Sequence, residues 1–326
     1  MRKKGLIDIY ILEILEKYAD KEHKLSQKQI IFYLEREYRL TLTRKTLSGY
    51  LAELRDDGYI EGERGVYKVN KFADNELRLL IDGVLFGQHV PQRNAYGLIQ
   101  KLKSLSGNSL KNRIKHICYL ESINHTPNVK LYEIIDIIDE AIEKNCKVEL
   151  TICAYMMDGK LYDKATKTVD PYYLVTDRNR YYLICYAGRN NDLENRRVDR
   201  ISHVTLLSER RRPITDIAKY ANGFDLANYM REHIYMFSGD SIWVVVEIRK
   251  QNIGDFIDWF GSKFKLLQEK EDTIVVRARV NENAMYYWAL QYGEIVEVLK
   301  PDKLRERLRH GTEQLLNKYV QNKKDL

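Results

Sequence analysis

The chain has 326 residues, 44% of them hydrophobic and 31% charged, and carries a formal net charge of +7. That length can bury more than one core, so three domains are anticipated, while so small a positive excess does not by itself identify a polyanionic partner. No segment approaches the roughly 18 apolar residues a membrane helix needs, acids at Asp8, Glu13 and Glu16 break any leader-like core near the N-terminus, and Cys118, Cys146, Cys153 and Cys185 show no C-x-x-C spacing. A soluble cytoplasmic protein with reduced thiols, no bound metal and no cofactor is expected.

In chain order, Leu6, Ile9, Ile11, Leu12, Ile14, Leu15 and Tyr18 recur at helical spacing and predict a first helix over residues 5–19. Ser26 is placed to cap a second helix, QKQIIFYLEREY, and Thr43 a third, RKTLSGYLAELRDD, ended by Gly58. The run YIEGERGVYKV then reads as a hairpin around Arg64 and Gly65. Three helices followed by a hairpin predict a winged helix-turn-helix over residues 1–70.

Residues 71–128 carry amphipathic patterns such as NELRLLIDGVLFG and QRNAYGLIQKLKSL, expected to form a helical linker and dimerisation region. A helix, LYEIIDIIDEAIEKN, precedes four β-prone runs within residues 129–210, KVELTICAY, KTVDPYYLV, RYYLICYAG and NRRVDRISHVTLL, which predict a small sheet or barrel. Residues 211–326 alternate as strand, helix, strand, strand, helix, strand, with a last helix after Pro301, and predict a ferredoxin-like α/β domain. The fold class expected is thus α+β and multidomain.

The third predicted helix faces its neighbours with Leu47, Leu51 and Leu54, leaving Thr43, Arg44, Lys45, Thr46, Ser48 and Tyr50 pointing elsewhere. Short polar and basic residues on the first turns of a helix suit major-groove entry, where free N–H groups and guanidinium forks meet phosphates and base edges. Lys28 on the second helix and Arg64 and Lys68 on the hairpin are candidate phosphate contacts. Glu61 and Glu63 on the same hairpin oppose that role.

From Arg178 to Arg212 there are nine arginines, no lysine and four acidic residues, interleaved with paired tyrosines. Planar guanidinium groups match phosphate or carboxylate oxygens bidentately and stack on flat rings, so this composition points to an oxyanion or nucleic-acid ligand. Tyr155, Tyr182, Tyr186, Arg197 and Arg200 supply rings and cations. In an ideal strand Arg197 and Arg200 would face opposite ways, so one pocket can use both only where a bulge or strand end intervenes. Asp199 is expected to pair with a neighbouring arginine, and Tyr181 and Leu183 to pack in the core.

The run DPYYLVTDRNRYYLICYAG followed by RRVDRI resembles the WYL-domain family of bacterial transcriptional regulators. Tyr181 stands where the family usually has Trp, Tyr182 and Leu183 match the rest of its Trp-Tyr-Leu run, Arg197, Asp199, Arg200 and Ile201 match its R-x-D-R-I element, and Pro171 with Leu174 matches its P-x-x-L strand start. The resemblance implies an Sm-like or SH3-like barrel that senses a nucleic-acid or nucleotide-like ligand. It further implies a winged helix binding double-stranded operator DNA, a C-terminal WCX-like extension over YYWALQYGEIVEVLKPDKLRERL, and a homodimer. Tyr155, Tyr182, Tyr186, Arg197, Asp199 and Arg200 are then the candidate ligand-binding residues.

No H-E-x-x-H, phosphate-cradling glycine loop or recognisable nucleophile with its base is present, and no enzymatic activity is expected. Two further readings stay open on the sequence: an RNA- or single-strand-binding Sm-like module with no role in transcription, and an allosteric or partner-recruiting subunit.

Overall fold

The computed structural model describes residues 4–70, 72–105, 125–188 and 191–320. Cys118, Arg189 and residues 106–124 of the expected helical linker lie outside the described residues. The chain divides into two compact units, 1–127 and 128–326.

In the first unit, α1 (Lys4–Tyr18), α2 (Gln27–Tyr38), α3 (Arg44–Asp56) and the paired β1 (Ile60–Glu61) and β2 (Tyr67–Lys68) share one core. Ile11, Ile14 and Leu15 of α1 are fully buried, whereas Leu6 and Ile9 are exposed. The apolar stripe expected on α1 was thus too broad, because at about 100° per residue its seven positions cannot share one buried face. Ser26 and Gln29 form a reciprocal capping box at α2, and Arg39 ends that helix in the left-handed region at φ 52°. A Leu25–Val66 bridge adds a third short rung beside the β1–β2 hairpin. α4 (Asp74–Leu85) and α5 (Gln92–Ser104) build a separate small core from Leu77, Ile81, Leu85 and Ile99.

In the second unit, α6 (Leu131–Lys144) is followed by β3 (Cys146–Tyr155), β4 (Leu161–Asp177), β5 (Arg180–Tyr186), β6 (Glu194–Arg197) and β7 (Ile201–Arg210). These strands form an antiparallel ladder of order β6-β5-β4-β3-β7. Leu131, Ile134, Ile138 and Ala141 seal α6 onto one face, against Val148, Leu150, Leu183, Cys185 and Val204. Among the described residues the ladder does not close into the barrel that was expected. Its edge strand β6 has four residues and runs straight into a 3-10 turn at Val198–Arg200, so it ends before it can pair with β7.

The opposite face of β4 and β5 is covered by residues 214–236, which include α7 (Leu226–Glu232) and pack Ile217, Tyr220, Tyr229 and Met236 on Tyr172, Ile184 and Tyr186. Beyond it the order is β8 (Ser241–Arg249), α8 (Ile253–Phe260), β9 (Lys265–Glu269), β10 (Thr273–Asn281), α9 (Glu282–Gln291), β11 (Val296–Lys300) and α10 (Asp302–Val320). The sheet is antiparallel in the order β11-β8-β10-β9, with Trp288, Phe256 and Phe260 at the centre of its core.

Candidate functional site

On α3 the Thr43 hydroxyl accepts from the Thr46 amide at 3.2 Å, fixing the first turn. With Leu47, Leu51 and Leu54 buried, Thr43, Arg44, Lys45, Thr46 and Ser48 are all exposed, as is Lys28 on α2. The Gln27 side-chain amide donates to the Ser48 hydroxyl at 3.1 Å and ties the start of α2 to this face. Tyr50 departs from expectation: three residues on from Leu47, it shares the inner side of the helix and is half-buried against the helical core.

The hairpin offers less than its sequence suggested. Lys68 is held by the Glu16 carboxylate of α1, and Glu61 accepts from the Tyr67 hydroxyl. Arg64 remains exposed at the tip.

In the second unit Asp199 is only 2% exposed and accepts three hydrogen bonds. Arg197 binds it through both arms of its fork, Nε at 3.0 Å and Nη2 at 2.7 Å, and Arg180 adds Nη1 at 3.1 Å. The Asn128 amide donates to the backbone carbonyls of Asp199 at 3.3 Å and Ile201 at 2.7 Å, fixing the chain on either side. The carboxylate holds the Arg197 guanidinium even further up than its ordinary range.

The 3-10 turn at Val198–Arg200 meets the condition for Arg197 and Arg200 to serve one site. The turn breaks the strand between the two arginines, so the alternation that would send them to opposite faces stops at Arg197. The Arg200 guanidinium carbon lies 5.6 Å from the Tyr155 ring centroid, and its Nε is buried without a hydrogen-bond partner. Tyr182 sits opposite Arg197 on the β5–β6 pair, its hydroxyl pushed up by burial and partly offset by that guanidinium. Arg180 and Arg197 converge on Asp199 while Arg200 lies over Tyr155, so three guanidinium groups gather near two tyrosine rings.

Tyr186 does not join this group. It lies four residues along β5, about 13 Å at strand rise, buried beneath Arg212, whose guanidinium carbon is 5.0 Å from its ring centroid. Arg180 was missed as a site residue. The DRNR turn held the signal, since Arg178 and Asn179 both adopt left-handed φ, 44° and 60°, and close the two-residue connection that brings Arg180 beside β6. Arg178 itself stacks 3.3 Å from the Trp259 ring centroid, and Arg196 pairs with Glu194, so part of the arginine run serves the fold.

Among the described residues no helix is long and apolar enough to cross a membrane, and no group of His, Cys, Asp and Glu is placed to hold a metal ion. No curated protein matches the chain. Among solved structures, the proteasome accessory factor B/C (PafBC) of Arthrobacter aurescens matches at 15% identity and a TM-score of 0.31, over 96% of this chain and 48% of that one. The chain thus spans about half the length of that relative. A CRISPR Cas-related protein matches at 14% identity and a TM-score of 0.39, over 94% of this chain and 98% of the other. Residues 133–206 match the model of the WYL domain and residues 240–316 that of the WCX domain. The second unit therefore carries a WYL domain followed by a WCX domain.

Proposed function

We propose that the chain is a bacterial transcriptional regulator that binds operator DNA as a homodimer and tunes that binding through a nucleic-acid or nucleotide-like ligand held by its WYL domain. The observation that carries the reading is the split face of α3: three leucines buried, and Thr43, Arg44, Lys45, Thr46 and Ser48 presented to solvent at its N-terminal turns. On this reading the first three helices and the hairpin are a winged helix-turn-helix, with α3 entering the major groove and Lys28 and Arg64 on phosphates. The β3–β7 ladder is an Sm-like sheet, and the βαββαβ array of the WCX domain is ferredoxin-like. Two copies place their reading helices on half-sites one helical turn, about 34–36 Å, or a multiple apart.

On this reading the ligand surface is the cluster of Tyr155, Tyr182, Arg180, Arg197 and Arg200, with Asp199 orienting the guanidinium forks. Its gathered guanidinium groups and the exposed Tyr155 ring support an anionic, base-bearing ligand. The protein acts by binding, in the cytoplasm, and no catalytic step is assigned to it. Selection of duplexes from a random library tests the reading. The wild-type chain is expected to enrich a palindrome, and Arg44→Ala with Lys45→Ala to enrich none while keeping its circular dichroism. Enrichment of the same palindrome by the double variant would overturn the placement of the reading helix. In a parallel selection from a single-stranded RNA library, enrichment there with none among duplexes would favour the Sm-like RNA-binding module instead.

A further inference from the structure

The end of α6 and the exit from β7 flank a cleft of about 730 Å³ that none of Tyr155, Tyr182, Arg180, Arg197 and Arg200 lines. Its walls are Ile142, Tyr172, Tyr173, Pro213 and Ile214, and its polar groups are Asn145, Arg210 and Arg211. β7 separates it from the Arg197 cluster, since Arg210 and Ile201 stand at opposite ends of that ten-residue strand, about 30 Å apart at strand rise.

Arg211 is fixed in place. One arm donates to the Asn145 side-chain oxygen at 2.7 Å, the other to the Pro171 carbonyl, and its guanidinium carbon lies 5.2 Å from the Tyr172 ring centroid. A guanidinium has five N–H groups, and the two bonds leave the others for a ligand. Arg210 is exposed and makes no ion pair among the described residues. Tyr173 is held by stacking on Phe224, with centroids 5.4 Å apart and planes 21° from parallel. The Tyr172 hydroxyl is engaged with the Arg212 carbonyl at 2.8 Å.

We propose that this cleft binds a small aromatic carboxylate. The flat ring lies among Ile142, Tyr173 and Ile214, and the carboxylate reaches the free N–H groups of Arg211 and the rim charge of Arg210. A rigid fork presenting parallel donors matches a carboxylate, and a pocket of this size, mostly apolar with a few convergent polar groups, suits a small ring. A nucleotide fits worse, because its ribose and base edges would be buried against side chains that leave them without partners. The cleft is a second site, apart from the Arg197 cluster.

Titration calorimetry on the full chain tests it with benzoate, the neutral isostere benzamide, inorganic phosphate and adenosine monophosphate. Benzoate is expected to bind at least about tenfold more tightly than benzamide, the worth of one charge-assisted contact. Arg210→Gln should weaken benzoate by about the same factor and leave benzamide unchanged. Ile214→Trp, which fills the cleft from a half-buried position, should abolish benzoate binding with the circular dichroism spectrum intact. Equal affinity for benzoate and benzamide, tighter binding of the nucleotide, unaltered benzoate binding in Ile214→Trp, or no heat from benzoate at millimolar concentration would each overturn the proposal. None of these outcomes bears on operator selection, so the regulator reading stands or falls separately.

Discussion

Asp199 concentrates more of the WYL sheet's electrostatics than any other carboxylate described above, because two guanidinium groups converge on one nearly inaccessible side chain. Removing the acid takes from Arg197 the carboxylate that both arms of its fork bind. Asp199→Ala is expected to cost about 3 kcal/mol in urea unfolding, the range for breaking a buried pair from one side. Arg197→Gln should cost less, since Arg180 still serves the carboxylate and position 197 is partly open to water. His233 provides a second residue-scale test. Both its ring nitrogens face backbone carbonyls, of Tyr229 at 2.8 Å and Gly239 at 3.2 Å, and burial nevertheless pulls the imidazole below its ordinary range. The unfolded chain then binds the proton more readily than the folded one, so stability falls as pH drops through the ordinary histidine range. His233→Gln should flatten the dependence of urea midpoints on pH between about 7 and 5.5, just around that range. At this scale the sequence told which residue types gather but not which partner each takes. The Asp199–Arg197 pair is local and was foreseeable, whereas Arg180, Lys68 and Tyr186 owe their roles to strands and helices brought together from far along the chain.

At the scale of elements, the hairpin tip depends on backbone room. Gly62 has φ 106°, and a Cβ there would fall 2.0 Å from the Gly65 carbonyl oxygen. Gly62→Ala is therefore expected to destabilise the first unit by roughly 1–3 kcal/mol, the cost of a strained backbone position, measurable as a lower thermal midpoint. Element types were readable because each carries its own period and cap: Ser26 and Thr43 sit at the helix starts they were expected to cap, and the strand runs around Pro171 and Leu183 fall in β4 and β5. What could not be read was closure. Period-two alternation sets which side chains share a face, but says nothing of whether β6 is long enough to reach another edge. The covering of β4 and β5 by residues 214–236 was equally hidden, since tyrosines there could pack on either neighbour.

For the whole molecule, the proposed grip on DNA rests on cations, so it should loosen with salt in proportion to the phosphates neutralised. If Arg44 and Lys45 each meet one phosphate, the double alanine variant lowers the slope of log affinity against log salt by about 2. Fluorescence anisotropy on one fixed duplex across a salt series checks this, and an unchanged slope would place both side chains away from the backbone. The net charge of +7 gave no such resolution, because a total says nothing about position, and the informative signal was the clustering of arginine around tyrosine. Even there, stacking of Arg178 on Trp259 and pairing of Arg196 with Glu194 withdrew cations that composition alone had counted as available.

β5 has no side facing water over its second half. Leu183 and Cys185 belong to the core under α6, while Ile184 and Tyr186 belong to the core under residues 214–236. One short ribbon is thus the common keel of two layers, and neither can be loosened without loosening the other. Tyr182 stands at the start of that doubly buried stretch, next to Leu183.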